Sequence, residues 1–383
     1  MHRIINDSKS LELFFDKLKD DKFVAIDTEF MREKTYYPQV CLIQIAGENA
    51  SAAIDPLAKE IDLSPFYKLL ADTKIVKVFH ACRQDIEIFY NLTGSIPEPV
   101  FDTQVAAQVC GFGESVSYEN IVGKILSLPV DKSSRFTDWS LRPLSQKQID
   151  YAMDDVIHLR KVYAALLEKM LRDGRGEWIE EEMQALLAIS NYESDPNEVW
   201  KKLRLRNSSP RYLAAVRAVA CWRELTAKER NLPRSRIMKD ETVPEVANIL
   251  PRDFASLQAI RGFYPTMSAT HYQALFTIIE GLDLLTPADY PRLADKPSNQ
   301  PSEAVSDLLK MLLKSCAAEN QIVPRLLADK NDIDNLASGQ YDDVKTLNGW
   351  RYDIFGKKAL DLLAGKIAIK CDGKNNVVFE YSN

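Results

Sequence analysis

The chain has 383 residues, of which 46% are hydrophobic, and a formal net charge of −6 at pH 7. This length predicts two to three domains, because single domains commonly hold about 100–200 residues. No apolar run approaches the roughly 18 residues that a membrane span needs, and the opening segment MHRIINDSKS does not resemble a signal peptide. We therefore expect a cytoplasmic protein that has no membrane partner, and we expect a monomer.

Residues 23–110 alternate between short apolar strands and helices. Four segments rich in Val and Ile are predicted strands, namely FVAIDTEF, VCLIQIAG, SAAIDPL and KIVKVFHA. The first three lie close enough in sequence to be antiparallel neighbours. RQDIEIFYNL follows as a helix, and SQKQIDYAMDDVIHLRKVYAALLEKMLRDG is a predicted long amphipathic helix that ends at Gly174. These elements predict a mixed α/β domain.

Beyond residue 175 the helical pattern dominates until the last dozen residues, and it contains a weak repeat. IMKDETVPEVA resembles LLADKNDIDNLA, and LQAIRGF resembles VKTLNGW, at offsets of 89 and 87 residues. The segment LADKPSNQPSE between the copies has the Pro and Ser content of a linker. We predict a first domain with its linker helix at 1–200 and two small helical domains at 207–290 and 300–383.

The strand FVAIDTEF carries two acids, Asp27 and Glu29, where apolar side chains are expected. Side chains along a strand alternate between its faces, so these two carboxylates converge on one point. Burying two like charges together is unfavourable unless a cation or a proton compensates them. The pair therefore indicates a site that holds a positive partner.

Further acids occur at unusual places. In HACRQDIEIFY, Asp85 opens a helix just after an apolar strand, and in YAMDDVIHL the acids Asp154 and Asp155 interrupt an apolar helix face. Asp155 lies four residues after Tyr151, so a helix places both side chains on one face, whereas Asp154 points elsewhere. Ligation by acids alone suits hard cations such as Mg²⁺ or Mn²⁺.

The residues alone leave alternatives open. Asp85 could be only a helix cap, with Asp102 of FDTQ as the third acid of the cluster, and Tyr151 could be a core aromatic. His80 and His158 are expected to be packed or hydrogen-bonded residues rather than metal ligands. Gly-rich phosphate loops and Ser-His-Asp arrangements are absent from the sequence, which argues against nucleotide hydrolases and covalent hydrolases.

IDTEF, HACRQD and YAMDD resemble the three motifs of the DEDD 3′→5′ exonucleases, and Tyr151 before Asp155 is similar to the subclass with tyrosine in its third motif. IDTEFMREKTYYPQVCLIQIA, FDTQVAA and DKSSRFTDWSLRPLSQKQIDYAMDDV further resemble the bacterial ribonuclease D family. This resemblance implies an α/β ribonuclease H-like exonuclease domain, with a mixed sheet flanked by helices, followed by two small all-α HRDC-like domains.

The resemblance also implies a chemistry. It implies a 3′→5′ exoribonuclease that uses two divalent metal ions, Mg²⁺ or Mn²⁺, and releases 5′-mononucleotides from structured RNA such as precursor tRNA. Asp27 would ligate both metals, and Glu29 and Asp155 would complete the shell of the metal that generates the nucleophile. Asp85 would hold the other metal through water, and Tyr151 would orient the attacking water.

The basic residues are concentrated in one part of an acidic chain. Between 201 and 239, twelve Lys and Arg residues stand against only Glu224 and Glu229. Such a run is either a solvated helix face or a surface that faces a polyanion. We expect Arg211, Arg217 and Arg223 to bind nucleic acid. The segment SDLLKMLLKSCAAENQ of the second helical domain is nearly neutral, which argues against direct nucleic-acid contact by that domain and leaves room for a packing role.

Two other functions fit the same residues. One is a nucleic-acid-binding protein with an inactive nuclease core, although the presence of all four acids and the tyrosine argues against it. The other is a 3′→5′ exonuclease directed at DNA, because RNA is distinguished by contacts to the 2′-OH, which no motif here identifies.

Overall fold

This computed structural model describes residues 4–131, 133–265, 267–291, 302–342, 344–374 and 377–381. The predicted linker LADKPSNQPSE, residues 293–303, lies outside the described residues except for its last two positions. Among the helices of the described ranges, none is both long enough and apolar enough to cross a lipid bilayer.

A six-stranded mixed sheet forms the centre of the N-terminal region. Its strands, in the spatial order β1-β4-β3-β2-β5-β6, are β1 Ile4–Ile5, β2 Phe23–Met31, β3 Gln39–Ala46, β4 Ser51–Ile54, β5 Val76–Phe79 and β6 Val100–Asp102. β2 pairs antiparallel with β3, β3 pairs antiparallel with β4, and β2 pairs parallel with β5. The four predicted strands and the antiparallel order of the first three are therefore confirmed.

Seven helices accompany this sheet: α1 Ser8–Phe15, α2 Ser64–Ala71, α3 Arg83–Thr93, α4 Thr103–Val109, α5 Tyr118–Leu126, α6 Gln146–Arg172 and α7 Gly176–Leu187. Alternate residues of β2 contact different layers. Val24 and Ile26 join the core formed with α1, α2 and α3, whereas Ala25 joins the core formed with α4, α5 and α6. The sheet is thus covered on both faces.

Helix α6 is the long helix that the sequence predicts. Its N-terminus carries a capping box, in which the Ser145 side chain accepts from the Gln148 backbone N–H and the Gln148 side chain accepts from the Ser145 backbone N–H. Its apolar face, which includes Met153, Val156 and Leu159, is buried against the sheet. Because α6 spans 27 residues, it crosses the sheet and fixes the position of its polar residues relative to β2.

The first helical region contains α8 Pro210–Arg230, α9 Arg234–Ile237, α10 Thr242–Ile249, α11 Phe254–Gln258 and α12 Gln273–Gly281. It has its own apolar core, in which the buried Tyr272 ring lies 5.9 Å from the Trp222 ring and 5.4 Å from the Phe263 ring. A separate core of this kind indicates a small bundle that is stabilised largely by its own packing.

The second helical region contains α13 Glu303–Glu319, α14 Pro324–Leu327, α15 Lys330–Ser338, α16 Gly349–Arg351 and α17 Lys357–Leu363. Its order of a long helix, a four-residue helix and a further helix repeats that of α8, α9 and α10, as the sequence repeat predicts. A hairpin of β7 Ile367–Cys371 and β8 Val377–Tyr381 follows, which adds a small sheet to the expected all-α region.

The second helical region packs directly on the nuclease. Its apolar residues join those of α6 in one continuous core, and the Trp350 ring stacks on Trp178 of α7 at 4.3 Å between centroids. The buried Arg351 forms ion pairs with Glu181 and Glu182 of α7. These contacts agree with the packing role inferred from the near-neutral sequence. The domain boundaries and the assignment of this region as a second HRDC domain stay predictions.

Candidate active site

Three of the predicted acids meet at one point between β2 and α6. Asp27 and Glu29 lie on the face of β2 that α6 covers, opposite Gln44 and Leu42 of β3. Asp155 lies on α6, one residue before the buried Val156. Carboxylate oxygens of Asp27, Glu29 and Asp155 lie within 4.8 Å of one another. This spacing allows one cation to contact all three acids.

Asp85 reaches the cluster from the other face of the sheet. It lies in the first turn of α3, whose apolar residues pack on the Val24 and Ile26 side of β2. Thr28, which alternates with Asp27 and Glu29, donates a hydrogen bond from its hydroxyl to Asp85 Oδ1 over 2.5 Å. Asp85 is therefore held beside the cluster, outside the set of three whose oxygens lie within 4.8 Å of one another.

Asp102, the alternative third acid, has a different set of contacts. It is the N-cap of α4, and its carboxylate accepts from the backbone N–H of Gln104 at 2.7 Å, of Ala81 at 3.0 Å and of Cys82 at 2.8 Å. These bonds tie the end of β6 to the turn that precedes α3 and thereby position Asp85. Asp102 is thus the capping residue, and Asp85 makes no N-cap bond to α3.

A cavity of about 360 Å³ opens onto the cluster. Its lining includes Asp27, Tyr151 and Asp155 together with three residues that the sequence analysis did not select as site residues, namely His80, Tyr118 and Arg135. The volume lies within the range of pockets that bind small organic ligands. Tyr151 and Asp155 share the face of α6 that lines this cavity, as their four-residue spacing predicts.

His80 is hydrogen-bonded to protein groups through both ring nitrogens, as the sequence analysis predicts. Its Nδ1 lies 2.9 Å from Thr103 Oγ1 and its Nε2 lies 3.0 Å from the Val116 carbonyl oxygen. Burial lowers the pKa of His80, so the ring is neutral near pH 7. It lines the cavity as a fixed, uncharged wall.

The acids of the cluster hold protons more tightly than isolated carboxyls. Burial raises the pKa of Asp27 to about 6. Burial together with the charges of Asp27 and Asp154 raises the pKa of Asp155 to about 8. Burial and then the charges of Asp27, Asp155 and Asp85 raise the pKa of Glu29 to about 9, and the Arg135 charge opposes this shift. Burial and the Asp27 charge also raise the pKa of Asp85 well above its usual range.

The two tyrosines of the cavity are poor acids. Burial and then the nearby charges of Asp155, Glu29 and Asp27 raise the pKa of Tyr151 above its ordinary value of 10. Burial and the Asp155 and Asp27 charges also raise the pKa of Tyr118, whose hydroxyl donates to the Asp155 backbone carbonyl. Both phenols therefore keep their protons near neutral pH and can act as hydrogen-bond donors.

The structure separates the three predicted arginines. Arg211 and Arg217 lie on the outer side of α8, where Arg211 contacts Asp283 at 3.2 Å and Arg217 donates to the Asp289 carbonyl at 3.0 Å. Arg223 is only 2% exposed, and its guanidinium donates to the Met238 carbonyl and to Asp240. Arg223 does not fit the surface role that the sequence analysis gave it, because the buried face of α8 takes its side chain into the interior.

Sequence reasoning also missed Thr28, Tyr118 and Arg135. Thr28 occupies the position between the two acids of β2, so its proximity to Asp85 depends on where α3 packs. Tyr118 lies in a segment with no periodicity that points to the site, whereas Arg135 lies within DKSSRFTDWSLRPLSQKQIDYAMDDV, the segment quoted above for the family resemblance. The motif TDWSLRPL, which follows Arg135 closely, indicated that this segment belongs to the site. Its Arg142 binds both oxygens of Asp55 at 2.7 Å and anchors the segment to the sheet.

The chain matches two family models, one described as a 3′-5′ exonuclease over residues 2–171 and one described as an HRDC domain over residues 213–279. It is 45% identical to ribonuclease D of Bartonella henselae, over 96% of this chain and 91% of that protein. It is also 45% identical to ribonuclease D of Granulibacter bethesdensis, over 97% of this chain and 95% of that protein. The chain belongs to the ribonuclease D family.

The solved structure of Escherichia coli ribonuclease D has the same architecture. It superposes with a TM-score of 0.82 at 27% identity and covers 95% of this chain and 99% of that one. The predicted fold class, an α/β exonuclease domain followed by helical regions, is thereby confirmed, and one HRDC domain is placed within the predicted first helical domain. As a member of the ribonuclease D family, the chain is a 3′→5′ exoribonuclease.

Proposed function

We propose that this protein is a metal-dependent 3′→5′ exoribonuclease that trims structured RNA and releases 5′-mononucleotides from the cavity beside Asp27. The observation that carries the proposal is the convergence of Asp27, Glu29 and Asp155 within 4.8 Å at the wall of a cavity that Tyr151 also lines. The solved E. coli relative is described as an exoribonuclease involved in structured RNA processing, which supports the same substrate class here.

The donor set fits divalent metal ions. Three carboxylates share one point. Burial raises the pKa of each, and the charges of neighbouring acids raise the pKa of Glu29 and Asp155 further, so a positive charge at this point would relieve an unfavourable arrangement. Oxygen ligands of this kind suit Mg²⁺ or Mn²⁺. Asp27, Glu29 and Asp155 would hold one ion, and Asp27 and Asp85 would hold a second. Bound there, two ions supply an activated water and neutralise charge on the phosphate.

Tyr151 has a positioning role in this proposal. Its phenol keeps its proton, because burial and the surrounding acids raise its pKa, so it donates a hydrogen bond rather than removing a proton. We assign that hydrogen bond to the attacking water. The neutral His80 ring and the Tyr118 ring pack at 5.5 Å between centroids and also line the cavity, which limits how the terminal nucleotide can lie.

A long RNA substrate would extend from the cavity toward the first helical region. Arg211 and Arg217 are the candidates for phosphate contacts there, since their guanidinium groups lie at the surface, and Arg223 is withdrawn from this group. Both candidate side chains contact protein acceptors in the free protein, so RNA phosphates would compete with Asp283 and with the Asp289 carbonyl.

The test uses single-stranded RNA labelled at its 5′ end, and DNA of the same sequence, each incubated with Mg²⁺, with Mn²⁺ and with a chelator. With either metal, we expect a ladder of RNA products that shortens from the 3′ end, together with mononucleotides. With the chelator, we expect no cleavage. Preferential cleavage of DNA would replace the proposal with a DNA-directed exonuclease. Binding without cleavage in either metal would favour the alternative of an inactive nuclease core.

A matched pair of variants assigns the activity to the cluster. Asp27→Asn should abolish cleavage, whereas Asp154→Asn should retain it, because Asp154 is exposed and lies outside the set of three acids whose oxygens converge. Equal activity of the Asp27→Asn variant and the wild type would contradict the proposed site.

A further inference from the structure

The segment between α5 and α6 presents an aromatic side chain to solvent beside the catalytic cavity. Phe136 is 91% exposed, which is unusual for a phenylalanine, since this residue type is among those most often buried. Its neighbour Arg135 lines the cavity together with Asp27, Tyr151 and Asp155. The Arg135 guanidinium carbon lies 5.3 Å from the centroid of the Phe136 ring, so the cation covers one face of the ring.

The backbone that carries this pair is fixed at both ends. The Thr137 N–H donates to the Ser134 carbonyl at 3.2 Å, which closes a turn with Arg135 and Phe136 at its two central positions. Ser134 is buried, and the Thr137 hydroxyl accepts from the Gln148 side chain of α6 at 3.2 Å. The exposure of Phe136 is thus a consequence of an anchored turn.

Further along the segment, two buried contacts strengthen the anchor. Trp139 is 2% exposed and its ring lies 6.1 Å from the Tyr151 ring. Arg142 binds the Asp55 carboxylate with two nitrogens and donates to the Cys41 carbonyl at 2.6 Å. The turn is therefore held at a constant position relative to Tyr151 and the acids.

We propose that Phe136 stacks on the base of the penultimate nucleotide of the RNA, while Arg135 binds the phosphate that joins this nucleotide to the terminal one. This inference rests on the proposed function, in which the terminal nucleotide occupies the cavity. The bond to be cleaved then lies at the acids, and the next base is the first one outside the cavity. Phe136 directly follows Arg135, which lines the cavity, and the Phe136 ring has one face covered by Arg135 and the other free for a base.

The chemistry of the pair matches this ligand. Single-stranded RNA is commonly held by aromatic rings that stack on its bases, because every base offers a π face. Arginine is suited to phosphate because its planar guanidinium offers several donors. A consequence follows for structured substrates: the penultimate base must be unpaired to reach Phe136, so trimming should stop before the last unpaired nucleotide next to a duplex.

The test compares single-turnover cleavage of three RNA oligonucleotides: one complete, one abasic at the penultimate nucleotide and one abasic at the terminal nucleotide. The proteins are the wild type, Phe136→Ala, Phe136→Trp and the control Leu171→Ala, which removes another exposed apolar side chain, 71% exposed, from the last turn of α6. Since a base stacked on an aromatic ring is commonly worth roughly a 10-fold change in affinity, Phe136→Ala should raise the half-saturating concentration for complete RNA about 10-fold.

The pattern across the substrates decides the inference. Phe136→Ala should cause no further loss with the RNA that is abasic at the penultimate position, but should keep its full effect with the RNA that is abasic at the terminal position. Phe136→Trp and Leu171→Ala should behave like the wild type. An unchanged half-saturating concentration for Phe136→Ala, or a loss that persists without the penultimate base, would overturn the assignment. An inactive wild type would instead refute the proposed function.

Arg135 is tested with the same substrates. Arg135→Ala should weaken binding of all three RNAs to a similar extent, because a phosphate contact does not depend on a base, and Arg135→Lys should restore part of it. Wild-type affinity in Arg135→Ala would remove the phosphate contact from the proposal. A hairpin with a 3′ overhang provides a second readout: the wild type should stop with one unpaired nucleotide left, and complete removal of the overhang would contradict the stacking site.

Discussion

The Tyr36 hydroxyl of the nuclease donates a hydrogen bond of 2.5 Å to the fully buried carboxylate of Glu224 in the first helical region. Arg234 completes the contact, since it binds the same carboxylate and lies 3.0 Å from the Tyr36 oxygen. Tyr36 follows the strand that carries Asp27 and Glu29, so this contact connects the segment after the catalytic strand to the bundle.

Removing this link should destabilise the protein. We expect Tyr36→Phe to lower the free energy of unfolding by about 1 kcal/mol, the usual net value of one hydrogen bond. Glu224→Ala should cost roughly 3 kcal/mol or more, because Arg234 and Tyr36 then lose a buried charged partner. Urea denaturation measures both changes. Tyr37→Phe is the control, since Tyr37 is 36% exposed. If Tyr37→Phe lowers the free energy of unfolding as much as Tyr36→Phe does, the contact between Tyr36 and Glu224 contributes no specific stability.

Asp155→Asn should remove nearly all exonuclease activity with little effect on folding. Loss of a group that merely orients a metal ligand commonly costs about 10–100-fold, so we expect loss of the ligand itself to exceed roughly 100-fold. The metal-free variant should melt at the same or a higher temperature than the wild type, because one repelling charge is gone. Asp154→Asn should be nearly silent in both measurements. Equal damage at positions 154 and 155 would show that another face of α6 carries the chemistry.

The stability of the metal-free protein should fall as the pH rises. Asp27, Asp155 and Glu29 have raised folded-state pKa values of about 6, 8 and 9, against ordinary values of 3.8 for Asp and 4.5 for Glu. Groups of this kind contribute their stability fully below the unfolded pKa, and the contribution is lost as the pH rises through the folded values. The loss should therefore extend from about pH 4 to pH 9.

Mg²⁺ should reverse this loss, because the cation replaces the protons. We expect the increase in melting temperature at saturating Mg²⁺ to be larger at pH 9 than at pH 6, and we expect binding to release protons, which calorimetry in buffers of different ionisation enthalpy detects. An increase in melting temperature that does not depend on pH, without proton release, would contradict a metal site at these acids.

Tyr151→Phe tests the proposed positioning of water. Losing the hydroxyl should slow the single-turnover rate by something like 10²–10⁴-fold while RNA binding is kept. Because the raised pKa keeps the phenol protonated, the ratio of wild-type to variant rates should be the same at pH 7 and pH 9. A ratio that grows with pH would assign Tyr151 a role as proton acceptor. An unchanged rate would leave Tyr151 as a packing residue beside Trp139.

The basic run should act through its exposed members. Each phosphate contact on a single strand contributes roughly −0.7 to the log–log salt slope of affinity. Reversing charge at Arg211 and Arg217 should therefore weaken binding of long structured RNA and flatten that slope, with cleavage of a very short oligonucleotide almost unchanged. An unaltered slope would show that these two arginines form a solvated helix face.

Arg223 should behave differently from the other two arginines. Because it is 2% exposed and holds the Met238 carbonyl, Arg223→Ala should lower the melting temperature, and the salt slope of the folded protein should stay unchanged. Thermal unfolding and the same RNA titration separate these effects.

The sequence by itself determined the local parts of this protein. Strand and helix periods place Asp27 with Glu29 and Tyr151 with Asp155, since both relations depend only on backbone geometry within one element. The same periodicity predicts β2 to β5 and α6. Strands β1 and β6 escaped prediction because they have two and three residues, too few for an alternating pattern.

The tertiary structure decided which of these elements meet. The crossing of α6 over β2 brings Asp155 to Asp27, and the packing of α3 on the other face brings Asp85 to Thr28. The burial of Arg223 depends on which side of α8 faces its bundle, and charge counting along the chain contains no such information. Contacts of this kind join residues that are far apart in sequence, and they follow from how whole elements pack, which no local pattern specifies.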